Sequence, residues 1–99
     1  MSRAVYITAA RRSIVAPRGG ALAHLAPHQL AAPVLRAALT DAQLTCNQID
    51  EVICGNALGA GGNPARLVAL AAGLPERVAG LSIDRQCSSG LDALLLGQA

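Results

Sequence analysis

Strand-like and helix-like runs alternate three times along this chain, and that alternation constrains the fold more than any other feature. Short apolar runs, several of them β-branched, read as strands at 4–10, 51–55 and 79–85. Apolar residues recur at helical spacing over 29–43, 64–72 and 88–99. Asn63 is a natural N-cap, Pro64 suits the first helical position, and Gly73 suits the position just past a helix end. Pro33 falls inside the first helical pattern, so that helix either begins near Pro33 or is kinked there. The order β-α-β-α-β-α predicts an α/β fold: a parallel sheet with helices on its faces and right-handed crossovers. All three strands then end on one edge. The segments that follow them, at Arg12, Asn56 and Cys87, converge where open α/β sheets bind ligands.

The 99 residues suffice for one small domain. They are 53% hydrophobic with a single aromatic side chain, which implies a globular chain with an aliphatic core. A net charge of +2, scattered basic residues and no aromatic platform argue against nucleic acid as a partner. No apolar run reaches the ~18 residues that a membrane span needs. The N-terminus also lacks a signal-peptide core, so the expectation is a cytoplasmic protein with no membrane partner. Cys46, Cys54 and Cys87 show no C-x-x-C spacing, which fits a reducing compartment and predicts neither a disulfide framework nor a metal site. The last helical pattern stops uncapped in mid-course, and three strands leave sheet faces uncovered. The expectation is one partial domain, 1–99, the incomplete N-terminal part of a larger fold.

The stretch 81–93, LSIDRQCSSGLDA, carries the candidate chemistry. It reads as a strand, a polar turn and the first turn of a helix, with Cys87 at the junction. Ser88, Ser89 and Gly90 are small and leave room beside the thiol. The unpaired N–H groups and positive dipole end of a helix start favour a thiolate, the reactive form. A strand-to-helix turn also pushes a nucleophile out of the sheet edge. The competing reading of Cys87 is a small buried hydrophobe. Cys46 and Cys54 read as structural, and His24 and His28 as surface residues. Gly59-Ala60-Gly61-Gly62 lies between strand and helix, but a G-x-G-x-x-G pattern fails at its third glycine, where Pro64 stands. Arg66 reads as a solvated or interface charge. Asp84, Arg85 and Asp92 either steady the cysteine turn or are simply solvated.

That stretch resembles the acyl-enzyme segment of the thiolases, the acetyl-CoA C-acyltransferases. The likeness is carried by Ser82-Ile83-Asp84-Arg85-Gln86-Cys87-Ser88-Ser89-Gly90-Leu91-Asp92-Ala93. Two further segments fit in order: 12–22, similar to the family's Arg-Thr-Pro and Gly-Gly-x-Leu region, and Gly62-Asn63-Pro64-Ala65-Arg66, similar to its Asn-Pro-Ala-Arg helix start. Ile14 and Ala16 replace the usual Pro and Gly, and Asp84 stands where many members have Asn. The resemblance implies a thiolase-like fold in which Cys87 is the nucleophile that forms an acyl-thioester intermediate. It implies acyl-CoA and CoA as substrates, no permanently bound cofactor, a homodimer or homotetramer, and a place in fatty acid metabolism. The family's acid/base residues lie downstream, so this stretch alone is expected to be inactive. The alternatives are a β-ketoacyl synthase relative of the same fold and a non-catalytic interaction fragment.

Overall fold

The computed structural model describes residues 4–59 and 61–99. Its elements run α1 (Pro27–Asp41), a short 3-10 turn (Cys46–Gln48), β1 (Glu51–Gly55), α2 (Pro64–Ala71), β2 (Ala79–Ile83) and α3 (Ser89–Gln98). β1 and β2 pair in parallel, with Glu51 opposite Ala79 and Gly55 opposite Ile83. The crossover between them is α2, as a parallel pair requires. The architecture is the expected parallel α/β arrangement, with helices on the sheet.

The strand expected over 4–10 does not form. Val5, Tyr6 and Ile7 are exposed, and a cavity of about 560 Å³ separates them from Glu51 and Ile53 of β1 and from Leu94 and Leu95 of α3. Ordering a strand costs roughly 1–2 kcal/mol per residue in backbone entropy. Strands of this apolar kind recover that cost by burial on both faces. Among the described residues no second layer covers these side chains. α3 has the same gap: Leu91, Leu94, Leu95 and Leu96 are all exposed.

The core lies between α1, α2 and β1. Ala32, Leu39, Val52, Ala65, Ala69, Ala72, Leu74 and Val78 are buried together. Six of those eight positions are Ala or Val, so the helices approach closely through small side chains. α1 starts at Pro27, whose missing N–H costs nothing at a helix start. It runs through Pro33, which removes the alternative of a helix beginning there. Both helices end on a left-handed residue. Leu44 N–H donates to Leu39 O past Gln43 (φ +58°), and Leu74 N–H donates to Ala69 O past Gly73 (φ +83°).

Arginines tie the layers together. Arg36 donates to Ala71 O at the C-terminal end of α2 (3.1 Å), and Arg77 donates to Ile49 O (3.1 Å) and Asn47 O. Arg11 forms a two-pronged pair with Asp41 at the end of α1. That hydrogen bond holds the Asp41 carboxyl below its ordinary value. Among the described residues no helix is long and apolar enough to cross a membrane.

Candidate active site

Parallel strands leave a sheet on the same edge, and the first ligand-sized feature of this edge follows from that. Asn56 N–H extends the ladder by donating to Ile83 O (2.8 Å). Beyond it a cavity of about 310 Å³ opens, lined by Asn56, Ala57, Leu58, Gly59 and Gly62 on one side and by Ser82, Ile83 and Asp84 on the other. Gly59 and Gly62 of the glycine stretch therefore border it, while Ala60 lies outside the described residues.

From Asp84 the chain reverses into α3 through a turn that carries Cys87. Four side chains staple this turn. Asp84 Oδ1 accepts Gln86 N–H (3.0 Å). Ser89 Oγ accepts Arg85 N–H (2.8 Å) and donates to Gln86 O (2.7 Å). Arg85 Nε stands 3.4 Å from Asp92 Oδ2, bridging the residues before and after the cysteine. Asp92 lies in the first turn of α3, where the helix dipole favours a carboxylate. Its Oδ2 is buried without a hydrogen-bond partner among the described residues, so the Arg85 contact is an ion pair without hydrogen-bond geometry. Two backbone bonds complete the turn: Ser88 N–H to Arg85 O (3.1 Å) and Ser89 N–H to Gln86 O (3.2 Å).

The staples hold Gln86 at φ +51°, a left-handed conformation that costs a non-glycine residue roughly 1–2 kcal/mol. Ser89 is a buried polar side chain, 5% exposed, and both hydrogen bonds of its hydroxyl bracket Gln86. The result is an exposed Cys87 two residues ahead of α3. The backbone of α3 is seated directly on β1. A Cβ at Gly55 would come within 2.7 Å of Gly90 N and of Ser89 C.

The other candidates are placed apart. Cys54 is half-buried against the core, and burial pushes its thiol pKa up. Cys46 packs against the same cluster. His28 is in the first turn of α1, and neither it nor His24 lines the strand-end cavity. Arg12 borders a separate groove against Leu30, Pro33 and Val34 of α1, so it does not join Asn56 at the cavity. Asp84, Arg85 and Asp92 are turn-steadying residues rather than merely solvated ones. Among the described residues no cluster of three or more His, Cys, Asp or Glu side chains is placed to hold a metal ion.

Sequence reasoning missed two serines. It read Ser89 only as small, although a serine at a helix start commonly satisfies backbone groups there. It assigned nothing to Ser82, whose hydroxyl accepts Ala65 N–H (2.9 Å).

A family profile described as "Thiolase, N-terminal domain" matches residues 5–99. The chain is 50% identical over 88 residues to a Bacillus subtilis (strain 168) protein named "Putative acetyl-CoA C-acetyltransferase YhfS", covering 89% of this chain and 23% of that one. It is 43% identical over 94 residues to "Putative acetyl-CoA C-acetyltransferase VraB" of Staphylococcus aureus (strain COL), covering 95% and 24%. Among solved structures, the Bacillus anthracis acetyl-CoA acetyltransferase superposes with a TM-score of 0.89 at 44% identity, over 93% of this chain and 24% of that one. The Acat5 thiolase from Ascaris suum, solved in complex with coenzyme A, superposes with a TM-score of 0.75 at 30% identity, over 80% and 21%. The chain thus spans about a quarter of the length of the curated relatives it matches.

Proposed function

The chain belongs to the thiolase family, as an N-terminal piece, and from that premise we propose that the whole protein is an acyl-CoA acyltransferase in which Cys87 carries the acyl group. The observation that supports this most is an exposed thiol at the end of β2, on a stapled turn two residues before α3. The Cys87 thiolate attacks the thioester carbonyl carbon of an acyl-CoA. The carbonyl oxygen takes up the negative charge, and the Cys87 backbone N–H is its donor; the N–H groups of Ser88 and Ser89 are already engaged in closing the turn. The bond from the carbonyl carbon to the CoA sulfur then breaks, and CoA leaves as a thiolate that takes up a proton. The acyl group waits on Sγ. A carbon nucleophile from a second acyl-CoA attacks it, forming a carbon–carbon bond and releasing the Cys87 thiolate. Run backwards, the same steps cleave a 3-oxoacyl-CoA with CoA. This is covalent catalysis in two half-reactions.

The coenzyme A complex of the Ascaris suum relative supports CoA thioesters as the substrate class, ahead of a carrier-protein substrate. The reading includes a cytoplasmic homodimer or homotetramer working in fatty acid metabolism. It places the acid/base groups outside these 99 residues, which alone would turn over little substrate. The test is exposure of the whole protein to acetyl-CoA followed by peptide mass mapping. One acetyl group on the Cys87 peptide is expected. An unmodified Cys87, with the protein folded, would favour the non-catalytic reading.

A further inference from the structure

β2 delivers the cysteine turn, and among the described residues it pairs within the sheet with β1 alone. A strand paired on one edge needs a second constraint if its end is to be held in place. That constraint comes from the first turn of α2. Pro64 has no N–H to satisfy, but Ala65, Arg66 and Leu67 do. Leu67 N–H donates to Asn63 O (3.2 Å), and Arg66 N–H donates to Asn63 O (3.1 Å) and to Asn63 Oδ1 (3.3 Å). Ala65 N–H donates to no acceptor on its own helix but to Ser82 Oγ on β2 (2.9 Å). The Ser82 hydroxyl donates in turn to Asn63 Oδ1 (2.5 Å), and Asn63 Nδ2 donates to Gly80 O (2.9 Å). Arg66 adds two bonds to the lead-in of β2, at Glu76 O (2.9 Å) and Val78 O (2.8 Å). Gly80 permits this contact, since a Cβ there would come within 2.5 Å of Arg66 N.

Ser82 therefore caps α2 from another element and fixes β2 to it two residues before Asp84, where the cysteine turn begins. We propose that Ser82 and Asn63 form a positioning relay that sets where Cys87 stands for acyl transfer. Neither residue is part of the chemistry. The inference rests on the acyl-cysteine reading above. Ser82 also borders the strand-end cavity, so a direct contact with substrate is the rival role, and the two roles differ in what they change. Positioning acts on kcat; substrate contact acts on KM.

The whole protein is compared with Ser82→Ala and Ser82→Thr. Ser82→Ala removes both bonds of the hydroxyl, whereas Thr keeps a hydroxyl on a β-branched residue suited to a strand. The relay predicts that Ser82→Ala lowers kcat about tenfold with KM unchanged within about twofold, since small misplacements of a reacting group are costly. It predicts that Ser82→Thr restores most of kcat. Thermal melting gives the folded fraction, to which every rate is normalised. Equal kcat in Ser82→Ala and wild type would overturn the relay, as would a rise in KM alone or a loss that vanishes on normalisation. Wild-type protein without an acetyl adduct on Cys87 would strike at the nucleophile assignment. The rate of Cys87 alkylation by iodoacetamide in the same three proteins then decides the relay, because it needs only a placed thiol.

Discussion

The two strands of this sheet are adjacent, parallel and equally long, yet they present their thiols in opposite ways. On β1 the cysteine lies within the strand: Cys54 is opposite Ser82 in the register, half-buried, with its thiol pKa raised by burial. On β2 the cysteine lies beyond the strand, on an exposed turn. The exits differ as well. β1 leaves into a glycine-rich loop in which Gly61 and Gly62 have open space around their Cα atoms. β2 leaves into a turn fixed by Asp84, Ser89 and the Arg85–Asp92 pair. Composition does not separate these thiols. A few residues of position relative to the strand end do, together with a turn that fixes backbone direction.

The contrast is broken most severely at the sulfur. Cys87→Ala is expected to lower acyl transfer by the whole protein at least about a thousandfold, in line with removal of a covalent nucleophile. Cys54→Ala should leave kcat nearly intact and cost about 1 kcal/mol of stability, as a small core truncation does. Steady-state kinetics and urea melts separate the two.

The next largest effect is expected at the seat of α3. Gly55→Ala drives a Cβ into the backbone of Ser89 and Gly90, which cannot swing aside like a side chain. A loss of about 3 kcal/mol of stability, read from urea unfolding, is expected. Gly62→Ala, at φ +74° but in open space, should cost only about 1 kcal/mol. Similar losses at both glycines would contradict the distinction between a seated exit and a loose one.

Ser89→Ala sharpens the comparison from inside the turn. It leaves Arg85 N–H and Gln86 O without the hydroxyl that joins them, at a cost of about 2 kcal/mol. Adding Gln86→Gly removes the left-handed strain, and the melting temperature of the double variant should recover part of the loss. No recovery would mean that the strain at Gln86 is not what Ser89 offsets.

The smallest effect is on pH dependence. The Cys54 thiol has a higher pKa folded than its ordinary value of 9.0, because burial disfavours the thiolate. Its contribution to stability is therefore complete below that ordinary value and is lost as pH rises toward the folded one. Urea midpoints should fall more steeply above pH 9.0 in wild type than in Cys54→Ala.

Much of this contrast was legible in the sequence. The Asn63-Pro64 start and Gly73 stop of α2 are local signals, and the structure uses them as read. The strand–turn–helix around Cys87 was legible for the same reason, since small polar residues between two apolar runs have few other uses. The segment 4–10 was misread because its apolar run specifies a strand only when other layers cover it, and no local signal reports them. The serines escaped because their partners are set by register and crossing. Nothing near Ser82 in the sequence announces Ala65, which is 17 residues away.

The central claim is that the end of β2, and not β1, presents the reactive sulfur. Its most direct test is a time course of iodoacetamide labelling of the folded whole protein, with Cys46, Cys54 and Cys87 followed by peptide mass mapping in one sample. The account predicts that Cys87 is labelled first, at least about tenfold faster than Cys54, as exposure and thiolate access dictate, and that prior incubation with acetyl-CoA protects Cys87 alone. Labelling of Cys54 ahead of Cys87, or no protection at Cys87, would contradict it.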